Sequence, residues 1–273
     1  MASSWTEPST HMRVLVTVKA YPELGKKHGE TVCVAGIRVD DNRPREWVRL
    51  YPVPFRDLPV IQRFKKYQFI DVIAVRPRDD RRPESWRVDV DAIVPGEILD
   101  SANGWARRRP FVEPMLMESM CELRRRQQSD GTSLGAFRPA EILDVVATKS
   151  RDWEASKRAL AAQGTLLGPA DREPLQPIPW TFHYRYRCAE GNCPGHEQTI
   201  IDWELGQAWR SWPAASDADR TEKIRDKWLN DLAGPGKDTV FLVGNMHRYP
   251  RNFLILGVYY PPRHATDQQQ LLL

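Results

Sequence analysis

Three soft donors stand close together late in the chain: Cys188, Cys193 and His196, in the segment CAEGNCPGH. Thiolate sulfur and imidazole nitrogen are the ligands that zinc takes, and a structural zinc ion sits among four of them. The spacing C-x4-C-x2-H, with Gly191, Pro194 and Gly195 permitting a tight knuckle, places three ligands around one ion. The fourth is not local. His183 is nearest in sequence, yet alternation along an extended segment sets it and Cys188 on opposite faces. Cys121, His247 or a carboxylate are the other ways to close the site. The plainer alternative is a pair of unliganded thiols beside a turn.

Asp202 and Glu204 follow in IIDWELG. With His196 they form a set that can gather Mg²⁺ or Mn²⁺ for phosphodiester cleavage, the ion activating water and neutralising the leaving group. Positions two apart on a helix diverge by about 200°, so the two acids share a site only if their segment is extended. Acids at a helix start also need no metal, because the helix dipole favours them.

A third pattern interleaves aromatic and basic residues: Trp47, Arg49, Tyr51, Phe55 and Arg56, then Arg63, Lys65, Lys66 and Tyr67. Bases of a single strand stack on aromatic faces while cations follow the phosphates. Arg185 and Arg187, and the loop residues His247, Arg248 and Arg251, repeat the theme. Against this stands ordinary packing, in which sheet aromatics lie beneath a helix and scattered arginines solvate a surface.

The elements that must hold these residues are mostly strands. Apolar, β-branched runs over residues 13–18 and 31–39 predict two buried strands, with KKHGE supplying the turn. Residues 46–51 predict a strand with Val48 and Leu50 on one face and Trp47, Arg49 and Tyr51 on the other. Residues 69–76 and 86–94 complete about five strands, a number that suits a small closed barrel. From Arg107 onward the pattern turns helical, through Leu116, Met120 and Leu123 to Arg124, Arg125 and Arg126, with Pro114 in a first turn.

SLGAFRP and ILDVVATK then predict strands, residues 152–163 a helix, and the Pro-rich stretch 168–179 a connector. In WTFHYRYRC, Phe182, Tyr184 and Tyr186 alternate with His183, Arg185 and Arg187. Two helices follow, through Ile201, Leu205, Ala208 and Trp212 and through Ile224, Trp228 and Leu232, and two apolar strands close the chain. The fold class expected is α+β: a β-rich barrel over 12–100, a helical connector over 101–132, and a second β-rich unit with added helices over 133–262. Residues 1–11 are expected to be a disordered leader and 263–273 a polar tail.

Composition excludes more than it identifies. Forty basic against 36 acidic residues in 273 give a net charge of +4, too little by itself to mark a nucleic-acid binder. Four cysteines are too few for a disulfide framework at this length and fit a reducing, cytoplasmic setting. No apolar run reaches the roughly 18–20 residues of a membrane-spanning helix. Phosphate-cradling loops, dinucleotide fingerprints and nucleophile elbows are absent.

In KKHGETVCVAGI, EWVRLYPVPFR, SLGAFRPAEI and TFHYRYRC…TIIDWE, over residues 13–205, the chain resembles bacterial dual OB-containing proteins. The resemblance implies two OB-like barrels and a role as a nucleic-acid-binding accessory of a DNA-modification or defence system. It supplies no catalytic residue. Three functions are thus expected in order: a binder of single-stranded or locally opened DNA or RNA, a metal-dependent nuclease, and an interaction subunit for another protein of the same system.

Overall fold

Strands covered on one side alternate in polarity, whereas residues 13–18 are apolar almost throughout, the mark of a strand covered on both. The protein, a computed structural model that describes residues 8–25, 29–150, 158, 161 and 175–263, shows the double cover. Strands β1 (Thr10–Lys19), β2 (Glu23–Gly25), β3 (Gly29–Asp40), β4 (Arg43–Val53), β5 (Gln68–Val75), β6 (Ser85–Val88) and β7 (Val94–Ile98) form one sheet. Its order is β1-β3-β4-β6-β5-β7, and β1 pairs again with β5, so the sheet partly closes on itself. The β4–β6 pairing is parallel.

Val14, Val16, Val34, Val48, Leu50, Ile70 and Val72 fill the inside of this sheet. Leu15, Ile37 and Phe69 point outward and pack against Leu134, Ala136, Leu242 and Tyr259 from later in the chain. Each such fully buried side chain stabilises the fold by about 1.5–3 kcal/mol, and here that gain requires both halves.

The second half holds β8 (Leu116–Met117), β9 (Leu134–Phe137), β10 (Glu141–Lys149), β11 (Trp180–Arg187), β12 (His196–Thr199), β13 (Val240–Asn245) and β14 (Phe253–Tyr259). They form two sheets, β10-β11-β12 and β14-β13-β9-β8. Phe182, Tyr184 and Tyr186 do face one way, into a core with Phe137 and Phe241. Trp209 of the Trp203–Ser211 helix and Ile224 of the Asp217–Asp226 helix cover that core. Strand-rich α+β architecture is therefore observed. The second half is two sheets rather than one ring, and among the described residues an isolated bridge between Ile200 and Ile255 relates β12 to β14.

Two segments differ from expectation. Residues 86–94 are not one strand: after Val88 the chain makes a short turn at Val90–Ala92, where the Asp89 side chain accepts from the Asp91 amide. Nor does a helix begin at Pro114. Leu116 and Met117 pair with β9, and the helix runs Met120–Asp130 from Ser119, whose side chain caps Glu122 N. That capping box outweighs the helical spacing of Leu116. The expected turn at 26–28, most of the helix at 152–163, most of the 168–179 connector, residues 1–7 of the leader and the tail beyond 263 lie outside the described residues. No helix among the described residues is long and apolar enough to cross a membrane.

Candidate metal centre

β11 ends at Arg187, and the chain turns through Cys188 to Cys193 before His196 opens β12, so antiparallel pairing brings both ends of the knuckle together. Gly195, at φ +83°, takes the left-handed conformation that releases the chain into β12. The Met120–Asp130 helix then delivers Cys121 in its first turn. His196 Nε2 lies 3.4 Å from Cys121 Sγ, 3.4 Å from Cys188 Sγ and 3.3 Å from Cys193 Sγ. All four ligand atoms fall within 4.8 Å of one another. Donors around one tetrahedral ion, at metal–ligand distances of about 2.0–2.3 Å, stand roughly 3.3–3.8 Å apart. The cluster fits a metal ion such as zinc, and of the possible fourth ligands the structure brings in Cys121.

Electrostatics favour a cation here. Burial pushes the Cys121 thiol up to about 12, and the Cys188 and Cys193 sulfurs add to the rise. Burial likewise raises Cys188, against the backbone amides of Cys121 and Met120 at the helix start. Crowded thiolates are costly without a counter-charge, and a divalent ion inverts that cost. Burial, reinforced by Arg124, holds His196 down to about 4, so the imidazole is in its neutral, ligating form at pH 7. The ring stacks on Tyr186 at 5.0 Å and 28°, which fixes its orientation.

The knuckle is clamped to the helix as well. Glu190 accepts from Ser119 Oγ and from Arg125 Nη1 at 2.9 Å, and Cys188 N donates to Cys193 Sγ at 3.3 Å. In the sequence only the Ser119-x-x-Glu122 capping box hints at this arrangement. Four protein ligands leave no open position, which is the form of a structural rather than a catalytic site.

The proposed nuclease set does not assemble. His196 is committed to the sulfurs, whereas Asp202 caps the Trp203–Ser211 helix and receives Lys66 Nζ at 3.3 Å, with Glu204 receiving the same ammonium at 3.1 Å. Burial works against the charge of Lys66, but the two carboxylates outweigh it and keep the ammonium protonated. Asp202 is buried and spends its oxygens on Lys66 and the Glu204 amide, so no His196–Asp202–Glu204 metal site exists.

The aromatic and basic face on β4 is also corrected. Arg49 is 2% exposed and donates to Ser133 Oγ at 2.6 Å, Ser133 O at 2.9 Å and Ser85 Oγ at 3.4 Å. Trp47 Nε1 donates to Met115 O. The face that alternation turned outward is thus covered by the second half of the same chain. Tyr51 keeps 38% exposure, while Arg56 is ion-paired with Glu30. Lys65 is exposed; Arg185 and Arg187 are exposed on β11, Arg185 paired with Glu197.

Open basic and aromatic surface lies instead at the β13–β14 turn, where Arg248, Tyr249 and Arg251 are exposed, Tyr249 by 59%. The β5–β6 loop packs beside it: Arg82 Nη1 donates to Asn245 O at 2.8 Å, and Asp80 organises the loop by accepting from Arg82 Nη2 at 2.7 Å and Ser85 Oγ at 2.8 Å. Burial would raise Asp80, but those bonds prevail and hold its carboxyl well below the usual range. A depressed folded value means that the stabilisation is present above the unfolded value near 4 and is lost as pH falls below it. Urea unfolding of Asp80→Asn is expected to show a deficit of roughly 1 kcal/mol at pH 7, allowing for the loop's partial exposure, that shrinks towards pH 3. An equal deficit at both pH values would contradict the assignment.

Two family models match the chain: Domain of unknown function (DUF8758) over residues 10–114, and Domain of unknown function (DUF8757) over residues 116–273. No curated protein matches. Among solved structures, one described as "Structure of murine DNA binding protein bound with ds DNA" is 9% identical, with 93% of this chain and 96% of that chain covered and a TM-score of 0.31. A likeness so distant does not bear on function.

Proposed function

The chain belongs to the family described as Domain of unknown function (DUF8757), and we propose that it is a zinc-stabilised, non-catalytic nucleic-acid-binding protein. The closed Cys121, Cys188, Cys193 and His196 cluster carries the zinc assignment. Three sulfurs and one imidazole select zinc over the oxygen-loving Mg²⁺ and Mn²⁺. Elemental analysis of protein purified without chelator is expected to give about one zinc per chain; a sub-stoichiometric content that added zinc does not restore would overturn it.

Support for nucleic acid comes from the β13–β14 turn. Tyr249 presents an aromatic face between Arg248 and Arg251, and the Arg-rich β5–β6 loop lies beside it. The partly closed sheet supports an OB-like reading of the first half, in which the loop joining the fourth and fifth strands is a usual contact for oligonucleotides. With the three-residue β2 left aside, that loop is the β5–β6 loop holding Asp80 and Arg82. Tyr249→Ala is expected to weaken binding of a labelled single strand about tenfold with an unchanged salt slope, and Arg248→Ala to reduce the slope by about one unit. Strand affinity indifferent to both changes would remove the surface from consideration.

A further inference from the structure

Where the two halves meet, a cavity of about 330 Å³ opens beside the Lys66 ion pair. Four cations line it, Lys19, Lys65, Lys66 and Arg108, against one carboxylate, Glu204, whose Oε2 lies 3.1 Å from Lys66 Nζ; the buried Asp202 pairs with Lys66 from behind. Lys19 is a half-buried ammonium whose Nζ donates to Phe64 O at 3.2 Å and sits 4.3 Å from the Phe55 ring centroid. An ammonium carries three donors, and among the described residues no carboxylate pairs with this one. Arg108 is similar. Its Nε donates to Leu99 O at 2.9 Å while its guanidinium lies 4.0 Å over Tyr67 and 4.5 Å over Trp105, and among the described residues no carboxylate pairs with its terminal nitrogens.

Two further observations point to a ligand. Tyr67 is 4% exposed, lines the cavity, and its buried hydroxyl has no hydrogen-bond partner among the described residues. A buried unpaired hydroxyl destabilises the fold unless something else meets it. The backbone is strained here too: Tyr67 at φ +58° and Trp105 at φ +65° are aromatic residues in the left-handed region, and Asn103 and Gly104 precede Trp105 in the same conformation. Such conformations are unfavourable for side chains of this size and persist where the surroundings hold a site in shape.

We propose that this cleft binds a nucleoside phosphate unit, the phosphate received by Lys19, Lys65, Arg108 and the Tyr67 hydroxyl, and the base by the half-buried rings of Trp203 and Tyr260. The volume suits a ligand of that size. Burial lowers Lys19 to about 8, and an arriving anion restores its full charge. The unit is either a free nucleotide or the phosphorylated end of a strand. The cleft shares no residue with the β13–β14 turn, so the inference stands whether or not strands bind at that turn.

Calorimetric titration of the zinc-loaded full chain tests it, with AMP and UMP in one arm, 5′-phosphorylated oligothymidylate in a second, and adenosine and uridine in a third. At least one phosphorylated arm is expected to bind with a Kd below about 1 mM, at least tenfold tighter than the nucleosides. Which phosphorylated arm binds identifies the source. Tyr67→Phe is expected to weaken that binding about tenfold while the melting temperature holds or rises, since it deletes only an unsatisfied hydroxyl. Lys65→Gln, on an exposed side chain, is expected to weaken it about threefold to tenfold. Absence of binding in both phosphorylated arms, equal binding of nucleosides, or affinity unmoved by both substitutions would each overturn the proposal. A strand that binds through Tyr249 yet ignores Tyr67→Phe, with no binding of AMP or UMP, would sink the cleft alone; nucleotide binding that survives Tyr249→Ala would leave the cleft standing without the turn.

Discussion

Chelating the metal at neutral pH is expected to lower the unfolding midpoint by about 10 °C or more, corresponding to roughly 5 kcal/mol. A bound ion would do two jobs: it would neutralise three sulfurs held together by β11, β12 and the Met120–Asp130 helix, and it would fix the end of the aromatic core at Tyr186 and His196. Isolated zinc-finger peptides depend on their metal for all of their folding energy, about 10–16 kcal/mol. The large buried core around Phe182, Tyr184 and Phe241 contributes independently of the metal, so a smaller loss is expected here. Calorimetric scans with and without chelator measure the effect. Cys121→Ser is expected to lose zinc and stability as fully as Cys193→Ser, although it lies on a different element. Full zinc retention in Cys121→Ser would reduce the site to the local knuckle.

Arg49→Ala is expected to cost about 3–5 kcal/mol of stability and to leave the strand affinity of the remaining folded protein unchanged. Its guanidinium satisfies Ser133 O and Oγ, and Ser133 in turn donates from its amide to Glu84 at 2.8 Å. Removal leaves Ser133 O with the Asn245 amide alone and Ser133 Oγ with Glu84 alone, takes away the buried cation beside Glu84 and Asp80, and opens a void beside Gly244, where a Cβ would stand 3.2 Å from Arg49 Nη2. Arg49→Met fills the void but not the hydrogen bonds, so about 2 kcal/mol is expected to remain. Urea midpoints separate the two variants. A large loss of strand affinity in folded Arg49→Ala would restore Arg49 to a binding surface.

The strands of both halves were legible because alternation and β-branching are local: Val14 to Val18, and Phe182, Tyr184 and Tyr186, are strands for reasons contained in their own neighbours. The knuckle ligands were legible through spacing. Cys121 stood in the sequence as one of several ways to close the site, because its approach depends on where a helix begins, and the Ser119 cap that decides this competes with helical periodicity at Leu116. Arg49 misled for a different reason. Alternation tells which side chains share a face, not what covers the face, and the covering residue, Ser133, comes from the other half of the chain. Asp202 and Glu204 looked like metal ligands because their cation, Lys66, arrives from the first half.

The junction between the halves also constrains how such chains are inherited. Two separate families recognise residues 10–114 and 116–273, as if the parts were interchangeable modules. Yet Leu15, Ile37 and Phe69 of one part share a single buried cluster with Leu134, Leu242 and Tyr259 of the other. A gene that kept the first part and lost the second would encode a chain with a bare greasy flank, inviting self-association and clearance by proteases. A chain cut to either part alone is therefore expected to self-associate unless a new neighbour brings a matching flank.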